Sequence, residues 1–407
     1  MKRFLIVLAA AALCSSALAQ HFTTTFSGPT SIRLFSKNVP RTEIVLPKID
    51  GYTLYKGDFH VHTIYSDGEV TPRERVREAW YDGLDIIAIT DHLEIRTYEK
   101  FMLKALAPYN KDGKPYTYAN AGAGNKKDKD APMLSNLNAG YEEALHIIEK
   151  EDIPILAVRG TEIWRNPRTT GEYNALFLKD INAICHKDLF ECFRRVKEQG
   201  GLIMHNHPGW RRKTMEKSED QIRAYGEGWV DGVECVNSST LYPTTIRRCI
   251  DEKLFIAANT DTHRPSSQIF SRDKEYFRTM TFIMAKECTE KAIKEALLKR
   301  RTIGYSGNHL FGEEHYLAKF LNEAVECKVV RDNEKQEHRA YQLTNKCSIP
   351  FLLRRGNTVY KLEPFQSLRV NFGKDKKSGK YRLPKFTVDN MWHIDEQHPV
   401  IEVSVDK

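Results

Sequence analysis

The chain has 407 residues and a formal net charge of +8, with 29% of its residues charged. That length holds one large domain plus a small one. The moderate excess of Lys and Arg, as in Lys126-Lys127-Asp128-Lys129, permits anionic partners without specifying any and is met by a solvated basic surface.

At the N-terminus, Met1-Lys2-Arg3 precedes an apolar run from Phe4 to Leu13, and Ala17-Leu18-Ala19 precedes Gln20. A basic start, a short apolar stretch and an Ala-x-Ala site read as a secretory signal peptide over residues 1–19, cleaved after Ala19. The expectation is a periplasmic or extracellular protein with no membrane span after cleavage, since no later segment is long and apolar enough for one. Residues 20–53 read as an N-terminal extension. Past Cys14, the remaining seven cysteines include no CxxC pair, which argues against a disulfide scaffold. Cys327 and Cys347 are candidates to pair with each other; buried free thiols fit the others.

From Leu54 onward, short apolar runs alternate with amphipathic helices. Leu54–Val61 reads as a strand. Thr71-Pro72-Arg73-Glu74 makes a capping box with Pro at the first helical position, Val76, Ala79 and Trp80 give an apolar face, and Gly83 stops the helix. Asp85–Ile89, Ile155–Arg159, Leu202–His205, Gly232–Val236 and Leu254–Ala258 follow as strands. Helices are predicted near Asp188–Gln199, Pro243–Lys253 and Thr289–Arg300. This alternation predicts an α/β fold with a mostly parallel sheet or a βα barrel over residues 54–310. Residues 98–138 are polar and weakly periodic, and read as a lid or insertion. From Phe311 to the end at 407, short β-type runs separated by turn residues predict a small all-β sandwich domain.

The chemistry sits where these strands end. His60 and His62 close the first strand and share a face by period-2 alternation. Asp91 and His92 close the second. Glu162 follows the third, His205 and His207 the fourth, and Asp261 and His263 the last. In βα barrels, groups at the C-terminal strand ends share one face, so five strands deliver imidazoles and carboxylates to one place. Those are the donors of a divalent-metal site. There is no G-x-S-x-G elbow, P-loop or dinucleotide fingerprint.

Read in order, His60-Val61-His62, Ser66-Asp67-Gly68, Thr90-Asp91-His92, Gly160-Thr161-Glu162, His207-Pro208-Gly209 and Asp261-Thr262-His263 resemble the PHP (polymerase and histidinol phosphatase) family of metal-dependent phosphoesterases. The resemblance covers roughly residues 54–305, and the later β-rich segment is similar to the sandwich appended to some secreted members. It implies a distorted, TIM-like, seven-stranded barrel and two or three divalent ions (Mn, Zn or Fe). His60, His62, Glu162 and Asp261 would hold one ion. Glu162 would bridge to a second, served also by His207, and Asp67, His92 and His263 would hold a third. The nucleophile implied is a metal-bound water acting as hydroxide. One position departs from the family, which usually places a further histidine after the Glu. Here Glu172, Asn174 and His205 are the alternatives for that place, and a carboxylate there would favour harder metals such as Mn²⁺.

Around this core, Arg211, Arg212 and Arg264 are candidates to grip phosphate, with Arg96 a further one. Trp210 and Trp164 are candidates to stack on a base or sugar. Asp91 is expected to orient a ligand from behind. Glu234 and Asn237 would line the pocket, and Glu94 reads as a solvated loop residue. The expected activity is hydrolysis of a small phosphorylated metabolite or nucleotide, with no stable nucleic-acid partner. Two other readings stand beside it: a metal-dependent amidohydrolase, and a non-catalytic metal- or carbohydrate-binding protein with a degenerate site.

Overall fold

The computed structural model describes residues 40–96, 136–270, 275–333 and 337–405. The signal peptide expected at 1–19, most of the expected extension to residue 53 and nearly all of the expected 98–138 insertion lie outside the described residues. No described helix is long and apolar enough to cross a membrane.

In chain order, β1 (Thr53–Asp58), α1 (Pro72–Tyr81), β2 (Ile86–Ile89), α2 (Ala139–Glu151), β3 (Leu156–Ile163), β4 (Glu172–Leu176), α3 (Leu189–Glu198), β5 (Leu202–Asn206), α4 (Glu219–Gly226), β6 (Gly232–Asn237), β7 (Thr240–Leu241), α5 (Thr244–Asp251) and β8 (Phe255–Asn259) build the main body. β9 (Met280–Ala285), α6 (Glu290–Leu298), β10 (Thr302–Ser306), β11 (His309–Phe311) and α7 (Glu314–Ala324) extend it. Local sequence sets these starts. Thr71 accepts from the Glu74 N–H and Pro72 opens α1. Glu74 does not complete a capping box and turns to Arg77 instead. The reciprocal box is found at Ser218–Gln221, ahead of α4.

The large sheet begins at a C-terminal strand, β18 (Met391–Trp392), and runs β18-β11-β10-β9-β1-β2-β3-β4-β5-β6-β7, with β8 paired to β6. β1–β2–β3 and β5–β6–β8 are parallel, as expected of βα units. β4 runs antiparallel to both β3 and β5, and β9 antiparallel to β1, which makes the sheet less parallel than predicted. The sheet curls into a distorted barrel that closes just past the ends of β1 and β8. There His62 N donates to Thr262 O (3.1 Å) and Asp261 N to His60 O (2.8 Å).

Two features hold that closure. Phe59, Ile86, Ala88, Val158, Met204, Phe255 and Ala257 gather in one buried cluster. Beside it, Asp58 accepts from Arg278 Nη2 (2.6 Å), Thr260 Oγ1 (2.5 Å) and the N–H groups of Thr260 and His60 (3.2 Å each). Arg278 also reaches Asp82 (3.1 Å). A buried ion pair depends on such additional hydrogen bonds to its carboxylate, and this one ties the end of β1 to Thr260, just past β8.

The remaining strands are β12 (Val325–Asn333), β13 (His338–Asn345), β14 (Phe351–Arg355), β15 (Thr358–Leu362), β16 (Ser367–Gly373), β17 (Lys385–Val388), β18 (Met391–Trp392) and β19 (Val400–Glu402). β12-β13-β16 and β15-β14-β17-β19 form two small antiparallel sheets. Their buried faces share one core: Tyr341, Leu343, Val370 and Phe372 from one, Phe351, Leu353, Phe386 and Val388 from the other. The Phe372 and Phe386 rings meet edge to face at 5.6 Å. β18 leaves them to pair in parallel with β11 of the large sheet, so residues after 311 contribute to both. Among the described residues all seven cysteines are free, Cys327 and Cys347 included, so the pairing expected of those two is not formed.

Candidate metal centre

The strand-end residues converge as a single cluster at one rim of the barrel, with Asp67, Asp261 and His263 half-buried and the other ligand residues buried. His60 and His62 are fully buried, and Glu162 and Glu172 nearly so. Glu162 divides its two oxygens. Oε2 lies 3.3 Å from His60 Nε2, 3.2 Å from His62 Nε2 and 3.2 Å from His92 Nδ1. Oε1 lies 3.4 Å from His207 Nε2 and accepts from Asn206 Nδ2 at 2.8 Å. Asp261 divides likewise: Oδ1 is 3.2 Å from His60 and 3.1 Å from His62, while Oδ2 is 3.8 Å from His207. Glu172 Oε2 is 3.4 Å from the same His207 nitrogen. Asp67 Oδ1 sits 3.3 Å from His263 Nε2 and 3.7 Å from His92 Nε2.

The donor atoms therefore fall into three overlapping groups of metal-ligand dimensions: His60, His62, Glu162 and Asp261; His62, Asp67, His92 and His263; and Glu162, Glu172 and His207. A fourth group joins His60 and His207 to Glu234. Every residue that the resemblance assigns as a ligand lies in the first three.

The backbone is bent to bring them there. His207 (φ 24°) and Asp261 (φ 52°) are non-glycine residues in left-handed conformations, each costing about 1–3 kcal/mol. Hydrogen bonds hold both: His207 N donates to Glu234 Oε2 (2.8 Å) and His263 Nδ1 bonds Asp261 O (2.9 Å). Gly68 allows a close approach that no side chain would tolerate, since a Cβ there would lie 2.6 Å from the His62 carbonyl carbon. That turn delivers Asp67.

Charge in the cluster is unusually arranged. Burial by itself lowers the His60 pKa, but the Asp261, Glu162 and Glu234 carboxylates outweigh it and hold it well above the ordinary value. Against the same burial, Asp261 and Glu162 hold His62 at about 10, and Glu162 and Asp261 hold His207 at about 9. At His92 burial wins, reinforced by neighbouring His62 and His263, and its pKa falls to about 4. Asp67 is held at about 2, against burial, by His263, His92 and His62. Glu172 moves the other way: burial, and then Glu162 beside it, push it up to about 8.

Four buried atoms of the cluster, His62 Nε2, Asp67 Oδ1, His92 Nδ1 and Glu172 Oε1, make no hydrogen bond. The first three face ion-pair partners at 3.1, 3.3 and 3.2 Å; Glu172 Oε1 has no such contact, which costs about 1–3 kcal/mol. Buried carboxylates that gather protons onto imidazoles, with donor atoms left unpartnered, fit divalent cations that replace those protons. The donor set of imidazole nitrogen and carboxylate oxygen suits Mn²⁺, Fe²⁺ or Zn²⁺.

The supporting residues were only partly foreseen. Glu234 lies behind the ligands: its Oε1 takes His60 Nδ1 (3.1 Å) and its Oε2 accepts from Asn237 (2.9 Å). Asn259 Nδ2 donates to it as well (3.1 Å). Asn237 lines the pocket and donates to Asp261 Oδ2 (3.2 Å). Asp91 meets a ligand residue through its backbone, its carbonyl accepting from Glu162 N (3.2 Å), while its carboxylate bonds no ligand side chain. It accepts from Thr63 N, Thr63 Oγ1 and Ser66 Oγ, all at 2.7 Å, and so fixes the loop that carries Asp67.

Several expectations are corrected. His205 faces away from the cluster, stacked on Tyr173 at 4.8 Å, with Nδ1 2.6 Å from Tyr225 Oη. Asn174 spends both ends of its amide on protein, donating to Phe59 O (2.9 Å) and accepting from Asn206 (2.8 Å). Of the alternatives for the departed histidine, Glu172 alone joins a ligand group. Arg211, Arg212 and Arg264 do not line the metal pocket. Arg211 stacks on Trp210 (4.3 Å), Arg212 bonds the Glu216 carbonyl, and Arg264 is exposed beside Glu69 (3.5 Å). Arg96 donates to His92 O (3.2 Å). Glu94 is buried, not solvated, and pairs with Arg165 and Trp164 N. Trp210 and Trp164 do line the pocket, a cavity of about 290 Å³ walled also by Ile95 and Asn237.

Comparison with known proteins agrees with this geometry. The pattern that defines the PHP domain matches residues 58–240. A crystal structure from Bacteroides vulgatus, a two-domain protein described as containing a predicted PHP-like metal-dependent phosphoesterase, superposes with a TM-score of 0.75. It is 30% identical and aligns over 90% of this chain and 99% of its own. A lesion-specific endonuclease from Pyrococcus furiosus overlaps far less, with a TM-score of 0.38 and 15% identity over 68% of this chain and 62% of its own. An uncharacterised protein of Methanocaldococcus jannaschii is 47% identical over 47 residues, 12% of this chain, so the chain spans only 22% of that curated relative.

Proposed function

The chain belongs to the PHP family of metal-dependent phosphoesterases, and on that premise we propose that it hydrolyses small phosphorylated molecules at the rim cluster. The observation that carries the reading is the division of Glu162 and Asp261, each with one oxygen toward His60 and His62 and the other toward His207. Carboxylates so placed can span neighbouring cations. His60, His62, Glu162 and Asp261 would hold one ion, Glu162, Glu172 and His207 another, and Asp67, His92 and His263 a third. Divalent ions held there lower the pKa of bound water and neutralise the charge on phosphate oxygens.

The chain's own residues do the rest. Glu234 fixes the His60 ring, and through Nδ1 its tautomer, so that Nε2 faces Glu162 and Asp261. Asn206 and Asn237 hold one oxygen each of Glu162 and Asp261, and so preset the carboxylate planes. Trp164, Trp210 and Ile95 wall the cavity and exclude water from its sides. Its volume of about 290 Å³ suits a phosphoryl group with a small attached moiety. We also read the chain as exported, on the basic–apolar–Ala-x-Ala pattern of residues 1–19. Mass spectrometry of the secreted protein would then show Gln20 as the first residue.

The test is a substrate panel. Chelated protein reloaded with Mn²⁺, Zn²⁺ or Fe²⁺ is offered phosphomonoesters, phosphodiesters, duplex DNA and amides. Turnover of a small phosphoester, abolished in Asp261→Asn, is the expected result. Amide turnover alone points to the amidohydrolase reading. Metal binding with no turnover of any substrate points to a binding protein.

A further inference from the structure

The ligand groups differ in chemistry from one end of the cluster to the other. At one end stand Asp67, His92 and His263, with His62 Nδ1 3.8 Å from Asp67. That end is three imidazoles and one carboxylate. At the other end stand Glu162, Glu172 and His207: two carboxylates and one imidazole. Asp261 Oδ2, 3.8 Å from His207, adds a third carboxylate beside it. Imidazole suits Zn²⁺ and Fe²⁺, whereas carboxylate oxygen suits Mn²⁺ and Mg²⁺.

Glu172 is the residue that makes this difference. It is 3% exposed, its Oε1 has no hydrogen-bond partner, and its Oε2 faces His207 at 3.4 Å. Buried beside Glu162, with one oxygen unbonded at the wall of the cavity, Glu172 is placed to meet a cation there. Its direction is set by the backbone. Gly171 is left-handed (φ 92°), and a Cβ there would lie 2.9 Å from His205 Nε2 and 3.1 Å from both Gln221 Nε2 and Tyr173 Oη. The chain thus enters β4 along a path that only glycine takes easily, and this path turns Glu172 inward.

We infer that the centre is graded, with an imidazole-rich end selective for Zn²⁺ or Fe²⁺ and an oxygen-rich end, made so by Glu172, that takes a harder ion such as Mn²⁺. This rests on the reading of the cluster as a multi-ion centre and adds which residue sets the identity of one ion. Every divalent site of this kind favours Zn²⁺ over Mn²⁺ in raw affinity. The grading therefore appears as a preference for Zn²⁺ at least about tenfold smaller at the Glu172 end than at the His92 end.

Competition tests this without reference to turnover. Full-length protein is filled with Mn²⁺, titrated with Zn²⁺, and the released Mn²⁺ is followed by electron paramagnetic resonance. The expected release is biphasic, with the last Mn²⁺ leaving at Zn²⁺ levels about tenfold or more above the first. In Glu172→His the late phase merges into the early one. In Glu172→Gln the late-class Mn²⁺ affinity falls at least about tenfold while the early class is unchanged, which also shows that the variant is folded. A single phase in the parent protein, or a late class indifferent to Glu172→Gln, overturns the grading. Biphasic release from a protein that hydrolyses no phosphoester would keep the grading and sink the function proposed above.

Discussion

The barrel rim and the two C-terminal sheets are built on opposite rules. In the sheets, buried positions are mostly apolar, Asn345 of β13 apart, and meet ring to ring, as at Phe372 and Phe386; Phe351 also meets Phe320 of α7 (6.3 Å). At the rim, the buried and half-buried positions are histidines and carboxylates, two with left-handed backbone and four with an atom that makes no hydrogen bond. The sheets are folded for stability. The rim spends stability to hold donor atoms where a cation can use them.

The largest effect expected from this contrast is at Asp261. Asp261→Asn keeps the shape but removes a charge that faces His60 and His62 through one oxygen and His207 through the other. Phosphoester turnover should fall by at least about a thousandfold, with metal content lowered, while the apoprotein loses less in melting than a core variant does. A melting loss equal to that of a core mutant would erase the distinction between the regions. The converse change is Phe351→Ala, at a fully buried ring. It should cost about 3–5 kcal/mol in denaturant unfolding, with metal affinity per folded molecule unaltered. Next comes Glu234→Gln, which leaves every ligand in place but weakens the hold on His60. Calorimetric titration should show metal affinity lower by about 10- to 100-fold.

The smallest effect concerns pH. His60, His62 and His207 have folded pKa values above the ordinary 6.5, and Glu172 above its ordinary 4.5. A raised folded value gives stability that is complete below the unfolded pKa and is lost as pH climbs through the folded one. Chelated protein should therefore melt at progressively lower temperature between about pH 6.5 and 10. Metal-loaded protein, whose imidazoles carry ions instead of protons, should change less. Parallel curves for the two forms would contradict the charge account.

Much of the rim was legible because its ligands come in short motifs at strand ends: His60 with His62, Asp91 with His92, Asp261 with His263. What escaped was long-range. Asn206 gave no signal, since it sits between two histidines that alternation would place on one face. In the structure β5 ends at Asn206, which shares the inward face of Met204, while His205 shares the outward face of Ile203. His207 reaches the rim only because its backbone turns left-handed. The Asp58–Arg278 pair joins residues 220 apart, and no local pattern announces it. The arginines near His207 and His263 were read as phosphate grips by proximity in sequence, but the turn after His207 sends Arg211 onto Trp210. β4 was not among the strands read, yet it carries Glu172, and its antiparallel course is what brings that residue beside Glu162.

The central claim is that Glu162 joins neighbouring cations. Anomalous diffraction from crystals grown with Mn²⁺, recorded on both sides of the manganese edge, addresses it directly. The account predicts separate peaks at coordination distance from Glu162 Oε2 and from Oε1, the first shared with His60, His62 and Asp261 and the second with Glu172 and His207. A single peak on one oxygen, or none within reach of Glu162, would contradict it.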